Sequence, residues 1–229
     1  MIKIAYIDIS QINHKELDML KKRVSEQCRN RSEKYLKFYD SVRCIMSYVL
    51  TEYIVKEVYG KDAAIEIVYN RYGKPALKNY PDIKYNITHS GEWVIIAYNN
   101  KDIGIDIEKI RPVTIKIAKY FTDSEKEYLY SKHGDENENI IRLWTIKESY
   151  LKFLGKGLSQ SLKSFSVDLE KNRIIIDNKE SPDVVLQSIA FENNFFLAIC
   201  TEEKNSIIME EINIHDILNG IYSEYSQEF

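Results

Sequence analysis

Ile103-Gly104-Ile105-Asp106-Ile107-Glu108 is the stretch on which the reading of the chain turns. Apolar residues at 103, 105 and 107 alternate with Gly104, Asp106 and Glu108, the period-two pattern of a half-buried strand with both carboxylates on one face. Positions i and i+2 of a strand lie roughly 6 to 7 Å apart. That separation lets two carboxylates close on one hard cation. Downstream, Trp144, Glu148 and Lys152 recur at i, i+4 and i+8, so a helix would carry them on one stripe. Turned toward the Asp106 and Glu108 face, Glu148 supplies a third oxygen ligand, and Lys152 lies one turn along as a cation for phosphate or a proton donor. Taken singly, each pattern also has an ordinary reading. The acid pair suits the wet face of an antiparallel strand, and Glu148 with Lys152 suits a surface pair worth about 0.2 to 0.5 kcal/mol.

Two further motifs precede the strand, Tyr72-Gly73-Lys74-Pro75 and Asn86-Ile87-Thr88-His89-Ser90. Gly73 and Pro75 mark a turn that would hold Lys74 close to whatever binds beside it. Thr88, His89 and Ser90 offer hydroxyls, an imidazole and successive backbone N–H groups, a donor set that can cup a phosphate. In this order, and followed by Gly-Ile-Asp-Ile-Glu and Trp-x-x-Lys-Glu-x-x-x-Lys, the four motifs resemble those of the 4'-phosphopantetheinyl transferases of the surfactin-synthetase-activating (Sfp) type. They run from Arg71 to Leu158, well under half of the chain.

The resemblance implies an α+β fold of two similar halves related by a pseudo-twofold, each a small antiparallel sheet packed against a long helix, with the active site between them. The halves would be residues 1–101, gripping coenzyme A, and residues 102–229, carrying the metal-binding strand and signature helix. The implied site has Asp106, Glu108 and Glu148 on Mg²⁺, with Glu148 and Lys152 catalytic. Arg31, Arg43, Lys74, Thr88, His89, Lys147 and Lys152 would meet coenzyme A. Near Arg31 the chain has Gln27 and Cys28 where a further lysine is expected, so part of that grip would move to Arg29. Partners would be apo acyl or peptidyl carrier proteins of nonribosomal peptide, polyketide or fatty-acid pathways, received by apolar residues of segment 110–121. Ordinary core packing is the competing account of those residues.

The rest of the chain accords with such a protein. Its 229 residues, 44% of them hydrophobic, can bury a substantial core as one large domain or two small ones. A net charge of −3 argues against a surface that coats nucleic acid. Eight basic and three acidic residues between Lys21 and Arg43 nevertheless form a local positive cluster, which suits either an anion or a solvated helix face. Cys28, Cys44 and Cys200 have neither disulfide nor zinc spacing. With no signal-type segment and no apolar run of the ~18 residues a span needs, a cytoplasmic protein away from membranes is expected, a monomer if one chain holds both halves of the cleft.

Alternation predicts strands over Ile2–Ile9, Ile65–Tyr69, Tyr85–Tyr98 (entered through a turn) and five segments between Phe165 and Ile212. Apolar spacings of three to five predict one long helix or two in series over Ser32–Tyr59, with Ser32 as cap and Gly60 as stop. A second helix is expected to end at Gly155. A faint internal echo pairs Ile7-Asp8-Ile9 with Ile105-Asp106-Ile107, and the strand at Trp93 with that at Phe195. The expected function is Mg²⁺-dependent transfer of 4'-phosphopantetheine from coenzyme A to a carrier serine, releasing adenosine 3',5'-bisphosphate. Two other functions fit the same residues: a Mg²⁺-dependent phosphohydrolase or nuclease, and a noncatalytic carrier-protein binder.

Overall fold

The structure, a computed structural model, describes residues 1–60, 64–113, 115–131, 135–181 and 183–225, the side chains at 115, 116, 158 and 221–225 aside. The first half of the chain runs β1 (Ile2–Asp8), α1 (His14–Arg23), α2 (Glu26–Ser32), α3 (Phe38–Tyr59), β2 (Ile67–Tyr69), β3 (Pro75–Leu77), β4 (Lys84–Ser90) and β5 (Trp93–Asn99). There follow β6 (Ile103–Lys109), a 3-10 turn (Ile115–Tyr120), α4 (Asp123–Ser131) and α5 (Glu136–Leu154). The chain continues through β7 (Ser166–Asp168), β8 (Arg173–Ile176), β9 (Lys179–Glu180), β10 (Val185–Phe191) and β11 (Phe195–Thr201), and closes with β12 (Ile207–Glu211) and α6 (Ile214–Tyr225).

Two sheets carry the fold. One has the order β12-β1-β5-β4, the other β10-β11-β6. In each, a first strand pairs antiparallel with a last strand, which pairs antiparallel with the strand before it, so β1-β5-β4 and β6-β11-β10 repeat one arrangement. Each sheet also has its long helix. Val42, Ile45, Met46, Val49 and Ile54 of α3 pack on Ile7, Val94 and Ile96 of the first sheet. Leu143, Ile146, Tyr150 and Leu151 of α5 pack with Ala198 and Cys200 of the second. Between the sheets, Ile2, Ile4, Ile95 and Ala97 meet Ile103, Ile105, Ile107, Leu197 and Ile199. The order is therefore helix, sheet, sheet, helix, and the α+β fold of two similar halves expected from the sequence is the one observed.

Three details differ from the sequence reading. Of the two alternatives over Ser32–Tyr59 the chain takes a single helix, which starts at Phe38: Ser32 is not its cap but the buried last residue of α2, its hydroxyl donating to Arg29 O at 2.8 Å. The chain also returns to its first half, because β12 pairs parallel with β1, and Ile214 and Leu218 of α6 join the first core. Finally, Asp8 pairs with Trp93 at the end of β1, whereas Asp106 pairs with Ala198 in the middle of β6. The match of Asp8 with Asp106 in the echo is thus out of register, although the strands that contain them do correspond.

One edge positions the site. β6 hydrogen-bonds through its backbone to β11 alone, and β4 runs parallel along its other edge without backbone pairing. Side-chain oxygens take the place of carbonyls there. Asn86 Oδ1, Thr88 Oγ1 and Ser90 Oγ accept from the N–H groups of Ile105, Ile107 and Lys109 at 3.2, 3.1 and 3.2 Å. Alternate residues of the Asn-x-Thr-x-Ser stretch satisfy alternate donors of the strand, as burial of those groups requires.

Candidate active site

Because Ile103, Ile105 and Ile107 face the layer between the sheets, Gly104, Asp106 and Glu108 turn the other way, toward α5. Gly104 is what lets the helix come close: a Cβ there would lie 2.0 Å from Ser149 O and 2.3 Å from Phe153 N. The helix is pinned at both ends. Asp135 caps it by accepting from the N–H groups of Asn137 and Glu138, and Gly155 ends it at φ 63° in the left-handed region. Asn70 Nδ2 donates to Gly155 O at 2.8 Å, and Lys74 Nζ to Phe153 O at 3.0 Å and Ile103 O at 3.3 Å. The Tyr-Gly-Lys-Pro turn thus fastens the first half to the C-terminal end of α5, where exposed carbonyls favour a cation.

With the helix fixed, Lys152 Nζ stands 2.6 Å from Asp106 Oδ1, which also accepts from Thr88 Oγ1 at 3.1 Å. Asp106 is 5% exposed, and its Oδ2 is buried without a partner. Burial raises its carboxyl above the ordinary carboxylate range, although Lys152 and Thr88 pull the other way. Burial also raises Glu108 and Glu148. The charge of Asp106 adds to both, that of Glu108 adds to Glu148, and Lys152 opposes the rise in each. Three carboxyls raised by burial, two of them further by acidic neighbours, around one lysine, are a common arrangement at functional sites.

The fit of Mg²⁺ can be tested on these residues. Among the described residues no three His, Cys, Asp or Glu side chains stand gathered as a finished metal cage. The donor chemistry nonetheless fits: Mg²⁺ takes one or two carboxylates and keeps its other positions for water and phosphate oxygens. Among the described residues Asp106 Oδ2 has no hydrogen-bond partner, and a cation would offset the burial that raises all three carboxyls and the acidic charge that adds to the rise at Glu108 and Glu148.

Beside the acids opens a cleft of about 730 Å³ between α2, α3, the β2–β3 hairpin and β4, lined in part by Arg31, Arg43, Tyr69 and His89. Arg43 Nη1 pairs with Asp40 at 2.7 Å and Nη2 donates to Gly91 O at 2.6 Å, leaving Nε buried and unpartnered. Arg31 Nη1 donates to Tyr69 Oη at 2.8 Å, its guanidinium 5.2 Å from the Tyr69 ring centre. His89 opens to the cleft, but the walls strip much of its hydration. That loss, with the charges of Lys152 and Arg43, lowers its pKa. Because it feels both cations, His89 marks where the cleft meets the acids.

The structure therefore gathers Asp106, Glu108, Glu148 and Lys152 at one place, and Arg31, Arg43 and His89 along the adjoining cleft. It turns the other expected ligands to different work. Lys147 is fully buried, 2.5 Å from Glu125 Oε1 and 2.9 Å from Phe165 O, so its ammonium serves the second core and not a phosphate. Lys74 spends its donors on the carbonyls named above, and Thr88 spends its hydroxyl on Asp106 and Ile107. Of segment 110–121, residue 114 and the side chains of 115 and 116 lie outside the described residues. Phe121 is fully buried and Ile117 packs on the same core, while Tyr120 stays 41% exposed, edge-on to Trp144. Asn70, Asn86 and Ser90 were missed as fastening groups. So was Trp144, which stands beside Glu108 and lowers its carboxyl against the effect of burial, and whose place on the Glu148 and Lys152 stripe was the available signal.

Comparison with known proteins accords with this geometry. Residues 102–200 match the family model of the 4'-phosphopantetheinyl transferase superfamily, and residues 11–101 that of the 4'-phosphopantetheinyl transferase N-terminal region. The 4'-phosphopantetheinyl transferase ffp of Bacillus subtilis is 35% identical over 82% of this chain and 87% of its own. The chain belongs to the 4'-phosphopantetheinyl transferase superfamily. The 4'-phosphopantetheinyl transferase Sfp of Bacillus subtilis strain 168 is 34% identical over 77% of this chain and 81% of its own, so the Sfp-type resemblance and the enzyme class expected from the four motifs both hold. A solved holo-(acyl-carrier-protein) synthase of Bacillus anthracis, itself in complex with CoA (3',5'-ADP), covers 45% of this chain and 96% of its own. Its identity is 21% and its TM-score 0.35, a likeness to which no weight is given.

Proposed function

We propose that this 4'-phosphopantetheinyl transferase moves the phosphopantetheine group of coenzyme A to a serine hydroxyl of an apo acyl or peptidyl carrier protein, with Mg²⁺, and leaves adenosine 3',5'-bisphosphate. The observation that carries the reading is the contact of Lys152 Nζ with Asp106 Oδ1 at 2.6 Å, where the arginine-lined cleft meets three carboxyls. In this reading Arg31, Arg43 and His89 bind the phosphates of the nucleotide end. Asp106, Glu108 and Glu148 hold Mg²⁺, which when bound supplies positive charge to the pyrophosphate.

The carrier serine is a poor nucleophile near neutral pH. Glu148, its carboxyl raised by burial and by its acidic neighbours, is suited to take the hydroxyl proton directly or through water. The serine oxygen bonds to the phosphorus of the pantetheine phosphate, and the bridging P–O bond breaks. Lys152 offers its ammonium to the departing phosphate, a stabilisation realised where charge develops. We assign the protein to nonribosomal peptide or polyketide pathways, and to the cytoplasm as a monomer. Three free cysteines favour a reducing compartment, and one chain carries both the cleft and the acids.

The test is the intact mass of an apo carrier protein incubated with this protein, coenzyme A and Mg²⁺, beside an EDTA control. A metal-dependent gain of one phosphopantetheine is expected. Coenzyme A consumed without carrier gain would replace transfer by hydrolysis, and unmodified carriers with intact coenzyme A would reduce the protein to a binder.

A further inference from the structure

Two thiols line the same cleft. Cys28 on α2 and Cys44 on α3 face it beside Arg31, and the Cys28 Sγ–H points to Cys44 O at 3.9 Å. The third cysteine, Cys200, is fully buried on β11 against α5. We propose that Cys28 and Cys44 form a dithiol modification site for low-molecular-weight disulfides, with access governed by occupancy of the cleft. The supporting chemistry is asymmetric. The neighbouring Cys28 thiol and the Arg31 charge lower the Cys44 thiol to about 7, while Cys28 is raised by its Cys44 neighbour and by burial. Cys200 is raised by burial. A thiolate is the attacking species, and a pKa near ambient pH is the most effective for attack.

The exchange has two balanced steps. The Cys44 thiolate attacks one sulfur of a small disulfide, forming a mixed disulfide and releasing one thiolate. Cys28 then gives up its proton and attacks the Cys44 sulfur, closing the Cys28–Cys44 bond and releasing the second thiolate. Two protein thiols are oxidised and one disulfide is reduced to two thiols. Helices α2 and α3 pack together, and closing the bond requires the two Cα atoms to stand about 4.4 to 6.8 Å apart.

The effect of cleft occupancy rests on the proposed function. A phosphate held by Arg31 would take that cation from Cys44 and cover the thiol, so bound coenzyme A slows the exchange. By linkage, a group attached to Cys44 weakens coenzyme A binding.

The probe is oxidised glutathione, and the readout is intact mass over time with dithiothreitol reversal. The wild type is expected to lose two hydrogens without accumulating an adduct, and Cys28→Ser to stop with one glutathione on Cys44. Cys44→Ser and a Cys200-only variant should stay unmodified, and saturating coenzyme A should slow the wild-type reaction at least tenfold. A wild type that keeps both thiols, or modification at Cys200 as fast as at Cys44, overturns the site. An exchange rate unmoved by coenzyme A, in a protein that calorimetry finds to bind it, overturns the control by occupancy. If calorimetry finds no coenzyme A binding, it is the donor assignment that fails, and the mass data alone decide the dithiol.

Discussion

β1 and β6 are corresponding strands of the two halves, yet their outer edges are closed differently. β1 is bonded through its backbone on both sides, to β5 and to β12. β6 is bonded that way only to β11, and its other edge is held by the side chains of Asn86, Thr88 and Ser90. A backbone ladder sets neighbouring strands about 4.8 Å apart and ignores side-chain identity. A ladder of side-chain oxygens keeps the strands further apart and can be aimed, and here its middle rung, Thr88 Oγ1, also bonds Asp106. The first edge builds a sheet. The second edge gives up continuity of the sheet and holds a buried carboxylate in one orientation between the halves, with α5 over it.

The sharpest break between the two edges is expected at that carboxylate. Asp106→Asn should lower kcat for carrier modification by about 10³-fold, the scale of removing one preorganised electrostatic partner. Its melting midpoint should not fall, because a neutral amide escapes the desolvation that disfavours the carboxylate there, and Lys152, 29% exposed, can turn to water. Kinetics of the folded variant with a thermal melt check this, and near-normal kcat would remove Asp106 from the chemistry.

The β6 edge was also the part of the fold most open to reading from sequence. Strict alternation at 103–108 gave the strand and its acidic face, and the stripe at Trp144, Glu148 and Lys152 gave the face of α5 that meets it, since both periodicities follow from backbone geometry alone. What escaped depended on partners far away in sequence. Lys147 adjoins Glu148 but lies off the stripe, and its partner Glu125 sits on α4, which no local pattern joins to it. Lys74 and Thr88 carry the family motif, yet their donors go to carbonyls and a carboxylate of the other half. The start of α3 was placed at Ser32 instead of Phe38 because the apolar spacing continues through Tyr35 and Phe38. The helix α6 was not anticipated at all, nor was the return of β12 to β1, whose partner in the sheet lies about two hundred residues earlier.

The next largest effect should come where helix and strand touch. Gly104→Ala puts a Cβ against backbone atoms of Ser149 and Phe153, which cannot rotate away as a flexible side chain would. Overpacking of well-packed interiors typically costs about 1 to 3 kcal/mol, and contacts this short belong at or above the top of that range. Urea unfolding should report about 3 kcal/mol lost. The same experiment would also sharpen the assignment of Glu148 and Lys152, because a helix pushed off β6 carries both away from Asp106. A Gly104→Ala protein with wild-type stability would mean that α5 does not rest on this strand as described.

Thr88→Val comes next and separates two roles for the residue. The variant keeps the shape but leaves the buried Ile107 N–H without its acceptor, which costs about 1 to 3 kcal/mol, and it removes one of the two hydrogen-bond partners of Asp106 Oδ1. If Thr88 acts through the seam, kcat falls while KM for coenzyme A stays near its wild-type value, and Thr88→Ser, which keeps the hydroxyl, restores both stability and kcat. If Thr88 instead grips a phosphate, as the family motif implies, KM rises and carries the loss.

The smallest effect is expected on the edge that backbone bonds close. Lys3 of β1 pairs across β5 with Tyr98 and alongside Ile208 of β12, and its side chain makes one ion pair with Glu57. Lys3→Ala deletes that pair and leaves every backbone bond of the strand in place. Partly exposed ion pairs are worth about 0.2 to 1 kcal/mol, and Lys3 is 38% exposed at its side chain, so the loss should sit at the lower end and shrink further in high salt. Transfer kinetics should not change. Set beside Thr88→Val, this substitution measures what the two edges owe to their side chains. A loss at Lys3 as large as at Thr88 would mean that β1 is also held by its side chains, and the contrast with β6 would no longer explain why the acids gathered on one strand and not on the other.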